Sequence, residues 1–250
     1  MTLEADYLVV GAGARGMAFA DVLMTETDAS ILLVDRGGRP GGHWNVAYPF
    51  VRLHQPSAFY GVNSRKLGSG TKDTTGWNAG LYELASGAEV VAYFDQVMHQ
   101  QFLPSGRVQY FPMCEYEGNG TFRSLLSGET HDVKVAEKTV DATYMNVIVP
   151  SMRPPTYDIA DGVRCEPPNA LPTLDEPPSA YVIVGAGKTG IDAALWLLSN
   201  GVGPESITWV RPRDPWLLDR AIIQPGREFF DTAVGGFAHR TEAAAHATSV

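Results

Sequence analysis

The sequence has few residues that could form a redox or metal centre. It contains two cysteines, Cys114 and Cys165, which stand 51 positions apart. This separation matches neither the C-x-x-C spacing of a paired-thiol redox centre nor the spacing of metal-ligating cysteines. The six histidines are scattered and form no H-E-x-x-H pattern. We therefore expect no metal site and no disulfide relay.

Positive charge and long apolar runs are also scarce. The 19 lysines and arginines are outnumbered by 28 aspartates and glutamates, for a formal net charge of −9. Nucleic acids and anionic membranes need clustered positive charge, so neither is expected as a partner. No apolar run approaches the roughly 20 residues of a membrane span, and the N-terminus MTLEAD is acidic. We expect a cytoplasmic protein that acts on a small molecule; the sequence leaves its oligomeric state open.

One glycine-rich turn near the N-terminus organises the first half of the chain. The apolar run Tyr7–Val10 predicts a buried strand and is followed by G-x-G-x-x-G, at Gly11, Gly13 and Gly16. In this pattern the glycines allow a tight turn, close approach of a pyrophosphate and close packing of helix on strand. A second apolar strand ends at Asp35, 24 residues after Gly11, near the spacing of a ribose-binding acid. The pattern predicts a dinucleotide site. The alternative is that the segment is a glycine-rich turn that binds no ligand.

A second turn of the same kind lies 174 residues further on. Tyr181–Val184 is followed by Gly185, Gly187 and Gly190, and the next strand ends at Arg211, with Arg213 two positions later. A carboxylate at this point would repel a ribose 2'-phosphate, whereas arginines form charge-assisted bonds with it. The next carboxylate is Asp214. The second turn therefore favours NADPH over NADH. The alternative is that Arg211 and Arg213 are solvated surface residues that bind no cofactor.

Between the turns, the segment Asp35–Trp44 contains four glycines in ten residues, including G-G-x-W at positions 41–44. With the first G-x-G-x-x-G and its acid, this segment resembles the FAD-binding half of the class B flavoprotein monooxygenases, which include the flavin-containing and Baeyer-Villiger monooxygenases. The resemblance implies FAD as cofactor. The implied FAD-binding residues are Gly11, Gly13, Ala14, Arg15, Gly16, Asp35, Arg36, Gly42, His43, Trp44 and Arg52; those implied for NADP are Gly185, Gly187, Thr189, Gly190, Arg211 and Arg213.

The resemblance also suggests two active-site residues. Tyr48, Pro49 and Arg52 resemble the Y-P-x-x-R of the Baeyer-Villiger branch, and the segment 57–68 resembles the S-x-Y-x-S-x-x-x-N of the flavin-containing branch. It implies Asn63 as an active-site amide; a loop asparagine bonding its own backbone is the alternative. Two residues after the arginine, where the Baeyer-Villiger pattern has an acid, stands His54. A histidine there could transfer protons, or it could be a solvated loop residue.

Residues 150–178 hold eight of the 17 prolines, which predicts an extended connector without regular helix or central strand. The monooxygenases place an F-x-G-x-x-x-H-x-x-x-W/Y fingerprint in this linker. This sequence departs from that pattern, because no histidine or tryptophan occurs between positions 146 and 184.

These features predict an α/β fold with two Rossmann-like, doubly wound dinucleotide-binding domains. We expect an FAD domain at 1–149 with a β-meander at about 108–144, the connector at 150–178, and the start of an NAD(P) domain at 179–250. The segment Asn146–Val149 is predicted as a short strand, and residues 83–102 as one or two helices with Gly87 between them. Only two strands are readable after Ala180, so the second domain is expected to be incomplete and the chain a fragment or reduced paralogue.

Three functions remain open. The first is an FAD-dependent oxidoreductase of the monooxygenase type, in which NADPH passes hydride to FAD and the reduced flavin activates O2 to oxygenate a small molecule. The second is a flavin-dependent reductase or dehydrogenase without oxygenation. The third is a truncated, non-catalytic dinucleotide-binding module.

Overall fold

The computed structural model describes residues 2–143, 148–213 and 216–246. The helices and strands are β1 Thr2–Val10, α1 Ala14–Glu26, β2 Ile31–Val34, β3 Gly61–Val62, β4 Arg65–Lys66, α2 Gly87–Val97, β5 Val108–Phe111, β6 Cys114–Gly118, β7 Thr121–Ser124, β8 Thr130–Asp141, β9 Tyr181–Val184, α3 Lys188–Ser199, β10 Ile207–Val210 and α4 Phe230–His246. The chain divides into two compact units. The first unit comprises Met1–Val51, Gly61–Leu67 and Ser86–Pro178; the second comprises Arg52–Tyr60, Gly68–Ala85 and Ser179–Val250.

The first unit is built on a six-stranded sheet in the order β5-β2-β1-β8-β7-β6. β1 pairs in parallel with β2 on one side and with β8 on the other, and β5 extends the parallel part beyond β2. β6, β7 and β8 are joined by antiparallel pairing. The sheet is therefore parallel at its centre, where β1 leads into the first glycine-rich turn.

Burial on both faces explains why β1 and β2 are continuous apolar runs. On one face a core cluster joins Leu8, Leu32 and Val34 to Phe122 from β7. Strand alternation places Val9 and Leu33 on the opposite face, and both are fully buried. The helices α1 and α2 contribute the buried side chains Met17, Ala20, Phe94 and Val97. Such double coverage is the normal condition of a parallel sheet.

The predicted meander begins later than position 108. Val108–Phe111 is a parallel neighbour of β2, with Tyr110 opposite Leu33, and only β6 to β8 form the antiparallel part. β5 ends at Phe111 and β6 begins at Cys114, and between them Met113 takes a left-handed conformation, with φ of +52°. The meander also continues the central sheet, because β8 pairs along the whole length of β1.

Helix α2 begins at Gly87, so this glycine does not separate two helices as the sequence suggested. Ser86 is the N-cap and forms a capping box with Glu89: the serine side chain accepts from the Glu89 N–H, and the glutamate accepts from the Ser86 N–H. A Cβ atom on Gly87 would lie 2.5 Å from a methyl carbon of Val51, which explains the small residue at this position.

The second unit contains a two-stranded parallel sheet, β9 with β10, connected by α3. One face of this sheet is open in the described residues, since the side chains of Val182, Val184 and Val210 are 64%, 55% and 46% exposed. On the helix itself, Ala193 and Leu197 are buried. β9, α3 and β10 thus form one strand-helix-strand repeat of the second unit, with one solvent-exposed apolar sheet face in the described residues.

The proline-rich segment 150–178 contains only short 3-10 turns and no regular helix or strand, as its proline density predicts. Ser151 Oγ and Asn169 Nδ2 both donate hydrogen bonds to the Val46 carbonyl, at 2.9 and 3.2 Å.

The start of the predicted strand at 146–149, Asp214 and residues 247–250 lie outside the described residues. The domain boundaries predicted from the sequence stay predictions. No helix in the described part of the chain is long and apolar enough to cross a membrane.

Candidate cofactor sites

The first glycine-rich turn joins β1 to α1 and requires glycine at two positions. Gly11 has φ of +102°, in the range that side chains disfavour, and its N–H donates to the Val34 carbonyl at 2.7 Å. A Cβ atom on Gly16 would lie 1.8 Å from the carbonyl oxygen of Gly11. The first glycine therefore makes the turn, and the last allows helix and strand to approach.

Asp35 is fixed to this turn by its own carboxylate. Oδ2 accepts a hydrogen bond of 2.5 Å from the N–H of Ala12, and Oδ1 accepts one of 2.6 Å from the N–H of Gly37. Each carboxylate oxygen has two lone pairs, so both can still accept from a ligand hydroxyl. The acid at the end of β2 is thus oriented beside the turn, as binding of a ribose hydroxyl requires.

A second glycine-rich backbone segment lies directly against the turn. The N–H of Gly41 donates to the carbonyl of Ala12 at 2.9 Å, and a Cβ atom on Gly42 would lie only 3.1 Å from the Cα atom of Gly13. Asn45 holds this segment by donating to the carbonyls of Arg39, Pro40 and Gly42 at 3.1–3.3 Å. The sequence predicted that G-G-x-W approaches the cofactor, and in the structure Gly41 and Gly42 adjoin the dinucleotide turn.

The N-terminus of α1 has features of an anion site. Its N-cap is Gly13, with no side-chain hydrogen bond to the first turn, and that turn contains no acidic residue. By contrast, α2 satisfies its first turn with Ser86 and Glu89. The first N–H groups of a helix carry partial positive charge and bind phosphate readily. Ala14 and Arg15 are exposed in this first turn, and the guanidinium adds a positive charge there.

Three further FAD-site predictions, His43, Trp44 and Arg36, lie in the same unit. His43 and Trp44 are half-buried and stack on each other, with ring centroids 5.3 Å apart and an interplanar angle of 29°. Burial lowers the pKa of His43 below its ordinary value, so the ring is neutral at pH 7. Arg36 instead forms an exposed ion pair with Glu115 of β6, at 3.5 Å. Asp35, Gly42 and the turn are therefore brought together, while Arg36 points to the meander.

The second turn reproduces this geometry. Gly185 has φ of +122°, and its N–H donates to the Val210 carbonyl at 3.0 Å. A Cβ atom on Gly190 would lie 2.5 Å from the carbonyl oxygen of Gly185, the contact found between Gly16 and Gly11. Helix α3 also begins on a glycine N-cap, Gly187, without a side-chain cap or an acidic residue in the first turn, where Thr189 is half-buried. The second turn is therefore also suited to a dinucleotide phosphate.

The two predicted 2'-phosphate ligands lie at the end of β10. Arg211 is exposed, and its guanidinium carbon lies 5.2 Å from the ring centroid of Trp209. The indole N–H of Trp209 donates to the Gly185 carbonyl at 2.8 Å. Arg213 is also exposed. Arg211 is thus connected to the second turn through one aromatic residue.

Three of the predicted residues remain to be placed, Arg52, His54 and Asn63. Arg52 and His54 belong to the second unit; Arg52 donates to the Leu84 carbonyl at 3.0 Å. The pKa of His54 is lowered by partial desolvation and by the charges of Lys188 and Arg220, and Asp192 opposes the shift. Asn63 is exposed in the turn between β3 and β4.

The neighbour of Asn63 shows where this turn lies. The N–H of Ser64 donates to the carboxylate of Asp21 on α1, at 2.9 Å. Asp21 is seven residues into the helix, about 10 Å from its N-terminus at 1.5 Å per residue. Asn63 therefore adjoins the middle of α1, and its catalytic role stays a prediction, as does that of His54.

Sequence reasoning missed three residues that organise these sites. Ala12 uses both backbone groups to hold Asp35 and Gly41, Asn45 ties the second glycine segment, and Trp209 contacts both Gly185 and Arg211. Contacts made by backbone groups cannot be read from a sequence, because almost every residue carries the same N–H and C=O groups. An asparagine in a glycine-rich loop was the one available signal, because its side chain often bonds local backbone groups.

A surface cavity of about 610 Å³ lies in the second unit. It is lined by Phe59, Gln224, Pro225, Gly226, Arg227, Phe230 and Asp231, none of which was predicted as a site residue. Within the described ranges, no group of three or more His, Cys, Asp or Glu side chains is arranged to hold a metal ion.

Comparison with known proteins identifies a family match that includes the first glycine-rich turn. Residues 9–50 match the family model of the NAD(P)-binding Rossmann-like domain. Uncharacterized proteins of Mycobacterium bovis and Mycobacterium tuberculosis are 56% identical over 248 residues, which is 99% of this chain and 46% of theirs. The chain therefore spans about half the length of these curated relatives.

Solved structures extend the likeness to most of the chain. A flavin-containing monooxygenase from Stenotrophomonas maltophilia aligns with 94% of this chain and 68% of its own, at 17% identity and a TM-score of 0.55. The bacillithiol disulfide reductase Bdr from Staphylococcus aureus aligns with 95% of this chain and 65% of its own, at 15% identity and a TM-score of 0.53. The predicted α/β class and the resemblance to flavin monooxygenases are confirmed at the level of the fold.

Proposed function

We propose that the chain is the dinucleotide-binding part of an FAD- and NADPH-dependent oxidoreductase of the monooxygenase type. The observation that carries the proposal is a contrast between helix N-termini. α1 and α3 each begin on a glycine after a G-x-G-x-x-G turn without a cap or an early acid, whereas α2 is capped by Ser86 and Glu89. Both turns are thus suited to pyrophosphate, and each is followed by a residue suited to a different ribose.

In the first unit, the N–H groups of the first α1 turn would bind the pyrophosphate of FAD. Asp35, held by the N–H groups of Ala12 and Gly37, would accept hydrogen bonds from the adenosine ribose. Gly41 and Gly42 leave room for close approach of a ligand to the backbone. Arg15 adds a cation at the same helix end. The residues present therefore fit the adenosine diphosphate part of FAD.

In the second unit, the first α3 turn would bind the pyrophosphate of NADPH, and Arg211 with Arg213 would bind the 2'-phosphate. Arginine recognises phosphate with several N–H donors in a fixed plane, and a carboxylate at the same place would repel it. When bound, the nicotinamide and flavin supply the redox chemistry, namely hydride transfer to the flavin and activation of O2 for oxygenation of a small molecule. The protein residues bind and orient the cofactors.

A reductase without oxygenation is the second candidate, and two observations favour it. The connector 150–178 lacks the histidine and tryptophan of the monooxygenase linker fingerprint. In addition, the fold is shared with a disulfide reductase as well as with a monooxygenase. Of the two cysteines, Cys114 is buried and Cys165 exposed, and they are not paired. A non-catalytic dinucleotide-binding module remains the third candidate.

Spectroscopy of the 250-residue chain separates the three candidates. The oxidised flavin spectrum is recorded with added FAD, then with NADPH under anaerobic conditions, and again after O2 is admitted. Bleaching by NADPH followed by an oxygen adduct band supports the monooxygenase. Bleaching with direct reoxidation favours the reductase, and bound flavin that stays oxidised favours the module.

Matched glycine variants test the assignment of each turn. A Cβ atom added to Gly187 would have no other atom within 4 Å. A Cβ atom added to Gly13 would lie 3.6 Å from the Cα atom and 4.0 Å from the backbone nitrogen of Gly42, and these are its nearest contacts. Both residues have negative φ, so alanine fits either position without strain. Gly13→Ala should weaken FAD binding and leave NADPH binding unchanged, and Gly187→Ala should do the reverse, because each Cβ points where a pyrophosphate approaches. Equal effects of both variants on both ligands would contradict the assignment.

A further inference from the structure

The two glycine-rich turns can be superimposed in register, which identifies equivalent residues. In the first unit Leu33 lies opposite Val9, the residue two positions before Gly11. In the second unit Trp209 lies opposite Ile183, the residue two positions before Gly185. Trp209 is therefore the equivalent of Leu33, and Arg211 stands where Asp35 stands in the first unit.

The equivalent residues need different means of fixation. Asp35 accepts a hydrogen bond directly from the backbone N–H of Ala12, and so it fixes itself to its turn. An arginine has no acceptor and cannot make this bond. Arg211 must therefore be oriented by another contact if it is to sit beside the second turn.

Trp209 has the geometry to supply that contact. Its indole N–H donates to the Gly185 carbonyl at 2.8 Å, and the Arg211 guanidinium carbon lies 5.2 Å from its ring centroid. A cation within about 6 Å of an indole ring is attracted to its face. A guanidinium can stack on an aromatic face and also bind a phosphate through its in-plane N–H donors. The leucine at the equivalent position of the first unit offers neither a donor nor an aromatic face.

We propose that Trp209 is a positioning residue that holds Arg211 beside the second turn for recognition of a ribose 2'-phosphate. The inference deepens the proposed function and rests on it. Trp209 acts on the ligand through Arg211 and makes no contact with the ligand itself. It therefore affects discrimination between 2'-phosphorylated and unphosphorylated adenosine nucleotides, and has little effect on binding of the pyrophosphate.

The test uses calorimetric titration of the 250-residue chain with 2',5'-ADP and with 5'-ADP. The wild-type protein should prefer 2',5'-ADP. Trp209→Leu, which copies Leu33 of the first unit, should weaken 2',5'-ADP binding about tenfold and leave 5'-ADP binding within about twofold, since one arginine-phosphate interaction is impaired. Trp209→Phe keeps an aromatic face without the N–H and should restore part of the preference. Circular dichroism and FAD affinity, which depends on the first unit, control for folding.

The outcomes separate the inference from the proposed function. Equal weakening of both ligands by Trp209→Leu, or no change in either, would overturn the positioning role while the NADP assignment stood. A wild-type protein without preference for 2',5'-ADP would overturn the NADP assignment and the inference with it. A Trp209→Phe variant as defective as Trp209→Leu would show that the N–H, and not the ring, supplies the orientation.

Discussion

The carboxylate of Asp35 accepts a hydrogen bond of 2.5 Å from the backbone N–H of Ala12, so the end of β2 is joined to the first glycine-rich turn. Ala12 is fully buried. Asp35 therefore satisfies a buried donor and is also the residue that we propose binds a ribose hydroxyl. One side chain would then contribute to both the stability of the turn and the binding of a ligand.

Replacement of Asp35 should show its contribution to stability. Asp35→Ala leaves the Ala12 N–H buried without its acceptor, which should lower the free energy of unfolding by about 1–3 kcal/mol. Asp35→Asn retains one oxygen acceptor and should cost less. Urea unfolding of the two variants measures the difference. An Asp35→Ala variant as stable as the wild type would mean that the hydrogen bond to Ala12 contributes nothing to stability.

Substitution of the last glycine of each turn should destabilise the fold. A Cβ atom on Gly16 would lie 1.8 Å from the Gly11 carbonyl oxygen, and one on Gly190 would lie 2.5 Å from that of Gly185. Since backbone atoms must shift in both cases, each alanine variant should lose about 1–3 kcal/mol of unfolding free energy, with the larger loss for Gly16→Ala. Thermal unfolding checks this order. Gly187→Ala, with no atom within 4 Å of the new Cβ, is the matched control.

Equivalent strand residues should differ in their contribution to stability. Leu8 in β1 and Val182 in β9 both lie three residues before the first glycine of a turn, yet Leu8 is fully buried and Val182 is 64% exposed. Leu8→Ala should therefore cost about 2–5 kcal/mol. Val182→Ala should cost less than about 1 kcal/mol, because little apolar area leaves the interior. A comparable loss for Val182→Ala in chemical denaturation would show that this face is covered in solution.

The protonation of His43 should make stability depend on pH. Burial lowers the pKa of this imidazole below 6.5, its ordinary value. As the pH falls below about 6.5, the unfolded chain binds a proton that the folded protein resists, so folding becomes less favourable; above that pH the penalty is absent. His43→Gln should lose less stability than the wild type between pH 7.5 and 5.5. An NMR titration midpoint at or above 6.5 for His43 would contradict the prediction.

Much of the candidate site could be predicted from sequence because its geometry is local. Gly11 and Gly185 take conformations that favour glycine, and the flanking apolar runs determine the strands around them. The acid at 35 and the arginine at 211 follow directly from the strand ends. These features depend on residues within one strand-turn-helix-strand unit, where spacing along the chain determines position in space.

Other features depend on which segments meet. β5 pairs with β2, and the meander joins the central sheet through β8. Both pairings are contacts between distant segments. The hydrophobic pattern of a strand does not indicate which other strand it pairs with. For the same reason the sequence did not show that the turn containing Asn63 lies beside the middle of α1.

The sequence by itself determined the two dinucleotide turns, the alternation of strand and helix around them, and the opposite charges at positions 35 and 211, because glycine conformation and hydrophobic periodicity act over short stretches of chain. Only the tertiary structure decided that Gly42 meets Gly13, that Ala12 orients Asp35, and that Trp209 connects Gly185 to Arg211. Apart from the contact between Trp209 and Arg211, these contacts join residues more than 20 positions apart. Their existence depends on how the strands pack together.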